Sequence, residues 1–245
     1  MGFLALVGYL GIGVGPGVAV LLQLRRRPVL VLLALGSCFV WLTALLAWSA
    51  LWRPFTPLPA GGAAGATALV ASVGAEEALR PVLWRAAYKR VERAVGRAAG
   101  VGRLRAVDKA GMAVAVGLGQ GFAHSILFFL STVSLSAGSA VYYAPRCPQM
   151  NLFLVSALSS LAFLLLHTFG TYVSFTGFDM HAGSVGGRDQ LLCKAWTPAL
   201  HLAMALTTLL NLVDGGCRAT VWLLLLGAAA TLALAGRIFF GFGPG

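Results

Sequence analysis

Charge is what this sequence has least of: only 10% of its 245 residues are Asp, Glu, Lys or Arg, against 59% hydrophobic. A soluble domain carries roughly a quarter charged residues, so this chain cannot cover a water-facing surface. Acid is scarcer still. Glu76, Glu77, Glu92, Asp108, Asp179, Asp189 and Asp214 are all there is, and none supplies the paired intramembrane aspartates with which an aspartyl protease shares a proton. His-Glu-x-x-His and Gly-x-Ser-x-Gly are also absent, which removes two common hydrolase signatures. Four cysteines without a close-spaced pair make no metal set. The first charge, Arg25, follows the first apolar run, so the basic leader of a cleaved signal peptide is missing. Leu6 stands where a myristoylation signal wants Ser or Thr.

Long apolar runs are what the chain does have. They lie near Gly2–Leu24, Val29–Trp52, Ala60–Leu83, Ala110–Ala137, Leu152–Phe175, Ala195–Leu212 and Ala219–Phe240. About 20 such residues cross a bilayer core as helix, and only helices keep their backbone groups paired in lipid without closing a barrel. The expected fold is therefore all-α: a polytopic membrane protein with seven transmembrane helices in a single domain over residues 1–245. No solenoid or inverted repeat is apparent.

Basic residues set the expected orientation. Arg25–Arg27 follow the first span, Lys89, Arg90, Arg93, Arg97, Arg103, Arg105 and Lys109 the third, and Arg188 and Lys194 the fifth. The opposite loops hold only Arg53, Arg146 and Arg218. The positive-inside rule then puts the N-terminus in the lumen or outside and the C-terminus in the cytosol. It also accounts for the net charge of +11 better than nucleic-acid binding does. The Arg- and Ala-rich extension of the third span, about Arg80 to Arg97, reads as a positive helix end against anionic lipid, or else as a partner contact. Cys147 and Cys217 both fall on the lumenal side, where the chemistry allows a disulfide.

Ionisable groups inside a span are costly unless paired or hydrated. Glu77, His124, His167 and His201 stand out. Arg80 is three residues from Glu77 and four from Glu76, on the same helix face, so a local ion pair is expected. Three readings stay open at this level. The histidines and glutamate bond neighbouring helices, or they line a polar cavity for a partner, water or lipid head, or they activate a water or hold a metal for hydrolysis. In the fourth span, Gly117, Gly121 and Ser125 follow the small-xxx-small spacing of a close helix–helix face.

These residues together resemble the anterior-pharynx-defective (Aph) family, the scaffold subunit of gamma-secretase. The matching elements are Gly15-Pro16, Pro28, Phe39-Val40-Trp41-Leu42 through Leu45-Leu46 to Trp52, and Glu77-x-x-Arg80 with Trp84-Arg85. Further on come the zipper Gly117-x-x-x-Gly121-x-x-x-Ser125, Ser156-Ala157, Leu165-Leu166-His167-Thr168-Phe169, and His201 with Thr208-Leu209-Leu210-Asn211. Ser125 replaces a glycine of the family pattern, and His124 has no counterpart in it.

The resemblance implies a non-catalytic assembly subunit that binds presenilin, nicastrin and presenilin enhancer homologues, with no cofactor, no metal and no nucleic acid. It implies residence in endoplasmic reticulum, Golgi, plasma and endosomal membranes. Glu77, Arg80, His167 and His201 become a polar intramembrane cluster kept for structure. The alternative is a glutamate-type CaaX prenyl protease relative with residual hydrolase activity: Glu76-Glu77, Phe163-x-x-x-His167 and His201 resemble its motifs, with Arg80 one residue too early. In that frame Glu77 is the base for a water held by His167 and His201.

Overall fold

The computed structural model describes residues 3–55, 62–136, 142–180 and 187–241. The expected linker segments at 56–61, 137–141 and 181–186 lie outside the described residues. Helix α1 covers Phe3–Leu24, and α2 (Pro28–Trp52) begins on a proline, whose missing N–H costs nothing in a first turn. Helix α3 (Gly62–Leu83) holds Pro81 inside it; this removes the hydrogen bond to the Glu77 carbonyl, and a π-helical turn follows at Trp84–Tyr88. The basic helix α4 (Lys89–Ala98) continues from that turn. Helices α5 (Ala106–Ser136), α6 (Leu152–Asp179), α7 (Gly187–Thr207, closed by a 3-10 turn at Thr208–Leu212) and α8 (Gly216–Gly241) complete the order.

Helix α6 is the centre. It packs on α1, α5, α7 and α8, while α5 also packs on α2, and α3 lies mainly on α7. The outward faces are apolar: Leu4, Phe39, Trp222, Leu226 and Phe240 are exposed. Among the described residues, five helical stretches are long and apolar enough to cross a membrane: Leu4–Leu24, Pro28–Trp52, Ala106–Phe129, Leu152–Asp179 and Gly216–Gly241. Two of the seven expected spans fall short of that test: α3, rich in Ala and Gly and carrying Glu76, Glu77 and Arg80, and α7, carrying Arg188, Asp189, Lys194 and His201.

A short antiparallel hairpin, β1 (Tyr143–Ala144) and β2 (Cys147–Asn151), precedes α6 and was not anticipated from the sequence. Asn151 ends it as the N-cap of α6, accepting from the Leu154 N–H at 2.7 Å, the usual way an orphan donor of a first turn is satisfied. Its amide donates to the Tyr9 hydroxyl on α1. A Cys147–Cys217 disulfide ties the hairpin to the start of α8. There Gly215 takes a positive φ of 70° and donates to the Arg146 carbonyl, a turn that glycine makes without strain.

At the other end, Lys89 bridges Glu92 and Asp179, and Lys109 reaches Glu92 at 2.6 Å. The basic helix is thereby docked against α5 and α6 rather than being only a solvated face.

Candidate functional site

Five helices converge on one buried polar cluster. Helix α3 supplies Glu76, Glu77 and Arg80, α2 Trp41, α5 Gln120 and His124, α6 His167 and Thr171, and α7 His201. Arg80 organises it and is 1% exposed. Its Nε and Nη2 donate to the two oxygens of Glu77 at 2.8 and 2.9 Å, the bidentate fork in which a guanidinium holds a carboxylate best. Its Nη1 donates to Gln120 Oε1 at 2.8 Å and to the Thr171 hydroxyl. Thr171 in turn donates to Gln120 Oε1 at 2.7 Å. The guanidinium carbon lies 5.5 Å from the centre of the Trp41 ring, a cation–π contact.

His201 Nδ1 meets Glu77 Oε1 at 2.8 Å, and His167 Nδ1 meets Arg80 Nη2 at 3.5 Å. All four residues expected in the cluster are thus in one place. Every donor of the guanidinium group is directed at an acceptor or a ring, which is how a buried charge becomes tolerable.

Glycine makes this convergence possible. A Cβ on Gly117 would sit 2.5 Å from the carbonyl oxygens of His167 and Thr168, and one on Gly121 would sit 2.8 Å from that of Leu164. On the opposite side of α5, a Cβ on Gly119 would strike the Ala34 carbonyl of α2. Small residues therefore let α5 touch backbone on both neighbours, which brings Gln120 and His124 within reach of α6. Ser125, the third zipper position, is 1% exposed, and its hydroxyl oxygen has no hydrogen-bond partner among the described residues.

The family model for Aph-1 protein matches residues 4–241. The chain belongs to the Aph-1 family. It is 36% identical over 238 residues to "Gamma-secretase subunit APH1-like" of Arabidopsis thaliana, covering 95% of this chain and 91% of that one. It is 28% identical over 201 residues to "Gamma-secretase subunit Aph-1" of Drosophila melanogaster, covering 82% and 78%. Family membership and the five apolar helices together make it a multi-pass membrane protein.

In this member of the Aph-1 family the cluster is larger than the sequence suggested. Glu76 does not share Arg80 with Glu77. It turns to His124 Nε2 at 3.3 Å and His201 Nε2 at 4.0 Å, and accepts a long hydrogen bond from Ser72. His124 stacks on His167 with ring centres 4.1 Å apart, and His167 meets His201 edge-on at 4.6 Å. His124 stood out in the sequence as an intramembrane histidine beside the others, but the family pattern held no counterpart for it. Gln120 and Thr171 carried no signal, apart from Gln120 and His124 being one helical turn apart on α5, and Trp41 stood out only as part of the resembling motif of the second span. A cavity of about 390 Å³ opens onto Glu76, His124 and His201, bordered also by Ser72, Thr208 and Asn211.

Proposed function

We propose that the chain is a non-catalytic scaffold and assembly subunit of gamma-secretase. In this reading it holds presenilin, nicastrin and presenilin enhancer homologues for the intramembrane proteolysis of type I membrane proteins. Its N-terminus is lumenal and its C-terminus cytosolic, and α3 and α7 cross the membrane as well as the five more apolar helices. At 22 and 21 residues, each reaches about 30 Å, the thickness of a hydrocarbon core. Glu76, Glu77 and Arg80 of α3 and Thr197 and His201 of α7 face the bundle interior, where such groups belong. The compartments are endoplasmic reticulum, Golgi, plasma membrane and endosomes. Both relatives named above carry the name of a gamma-secretase subunit.

The state of Glu77 carries the non-catalytic half of this reading. A general base needs a free oxygen within reach of the proton it takes. One Glu77 oxygen is bound to Arg80 Nε, and the other to Arg80 Nη2 and His201 Nδ1. Such a carboxylate braces α3 against α7 and is poorly placed to activate water. The hydrolase alternative needs that oxygen free.

Co-purification tests the scaffold role. Solubilised in mild detergent from native membranes, the tagged chain should bring down presenilin and nicastrin homologues. A chain recovered alone, with its partners present in the same membranes, refutes it. The isolated chain should leave a prenylated peptide uncut, whereas cleavage abolished by His167→Ala would establish the hydrolase alternative.

A further inference from the structure

We propose that Glu76, His124 and His201 form a binding site for a divalent transition-metal ion of the zinc class, pinning α3, α5 and α7 together inside the bundle. One ligand-type atom from each of Glu76, His124, His167 and His201 lies within 4.8 Å of all the others. Glu76 Oε2 is 3.3 Å from His124 Nε2 and 4.0 Å from His201 Nε2. Ligands about 2.0–2.2 Å from a tetrahedral ion stand apart by distances of this order. Among the described residues, the buried Glu76 Oε2 has the two histidine nitrogens beside it and no well-aligned hydrogen-bond donor. Lone pairs gathered without a proton between them are what a cation resolves.

The remaining ring nitrogens fit this assignment. His201 Nδ1 is held by the Glu77 carboxylate at 2.8 Å, and His124 Nδ1 by the Gln120 carbonyl at 3.4 Å. Both partners are acceptors, so each Nδ1 carries the hydrogen and each Nε2 offers a lone pair. Carboxylate or carbonyl behind a ligating histidine is the usual outer support of a zinc site. His167 differs. Its Nδ1 faces Arg80, which can only donate, so its buried and unpartnered Nε2 carries the hydrogen. That N–H is left to donate to an oxygen in the fourth coordination position.

Charge and access agree. Two buried carboxylates face one guanidinium, leaving one negative charge that a cation compensates. The cavity of about 390 Å³ reaches the three assigned ligands and not His167, giving an ion a way in. Two histidines and a glutamate are borderline donors suited to zinc rather than to calcium or magnesium. This departs from what the family resemblance implied, which was no metal. It does not rest on the scaffold role, since the isolated chain reads it out without partners.

The test is uptake of cobalt(II), a zinc substitute with visible absorption, by the purified full chain in detergent after dialysis against chelator. Expected are one equivalent bound per chain and the intense visible bands of a four-coordinate ion, displaced by zinc. His124→Ala and Glu76→Gln should lose the bands, and Glu77→Gln should weaken binding by about 10–100-fold through the support of His201. No stoichiometric uptake by the unsubstituted chain overturns the proposal whatever the variants do; so do unchanged bands in both ligand variants. Any variant that fails to elute as a single species is replaced by His124→Gln, for which loss of the bands is again the expected result.

Discussion

Replacing Gly117 with alanine adds one methyl group to α5 where α6 already lies in contact. The new Cβ would stand 2.5 Å from the carbonyl oxygens of His167 and Thr168 and 2.9 Å from Thr168 Cα, about 1 Å short of ordinary contact. All three atoms are backbone, so no rotamer change relieves the clash, and α6 itself must retreat. Gln120 rides on α5 and Thr171 on α6, so the retreat stretches the 2.7 Å bond between them past useful geometry. It also disturbs the 2.8 Å bond from Arg80 to Gln120.

Overpacking costs about 1–3 kcal/mol, and a weakened hydrogen bond to a charged group about 1.5–3 kcal/mol more. For a chain of this size roughly 2–4 °C of Tm goes with each kcal/mol, so a fall of roughly 5–24 °C is expected. The assay is thermal unfolding in one detergent, followed by the loss of the monodisperse elution peak. Gly36→Ala is the control: a Cβ there meets nothing within 4 Å, and alanine should gain up to about 1 kcal/mol in helix propensity. A Gly117→Ala protein that melts at or above the Gly36→Ala protein refutes the reasoning.

Three further outcomes are expected. Arg80→Met strands the buried Glu77 carboxylate and should cost about 3–5 kcal/mol; Glu77→Leu in the same chain should restore part of the Tm, as a double-mutant cycle will read. Cys147→Ser removes the Cys147–Cys217 link and should lower stability by about 2–4 kcal/mol, with reductant lowering the Tm of the parent chain but not of the variant. Burial alone would raise the Glu92 carboxyl, but hydrogen bonds and charge from Lys109 and Lys89 hold it below the usual carboxylate range. A depressed folded value means stabilisation that is full above the unfolded glutamate value of about 4.3 and lost as pH falls through the folded value. Hydrogen exchange in α4 should therefore rise on acidification below about pH 4, and Glu92→Gln should show no such rise.

The sequence by itself determined the class of solvent. Apolar runs of span length are a property of composition along the chain, and no packing changes them. It also determined which side chains have to face inward, because an ion in lipid is costly wherever its helix sits; Glu77, Arg80, His167 and His201 were legible on that ground alone. An ion pair between Arg80 and one of the two glutamates was legible too, since helix periodicity places residues three or four apart on one face.

Partnership across helices was decided only by the tertiary structure. Glu76 and Glu77 stand four and three residues before Arg80, both spacings share its helix face, and the sequence has no way to choose between them. The rotation of α3 gives Arg80 to Glu77 and turns Glu76 toward α5 and α7. His124 joins the cluster because Gly117 and Gly121 let α5 lie against the backbone of α6, and helix separation is not encoded in any one segment. Intramembrane residues are thus announced by desolvation cost, which is local, while their roles follow from which helix faces meet, which is not.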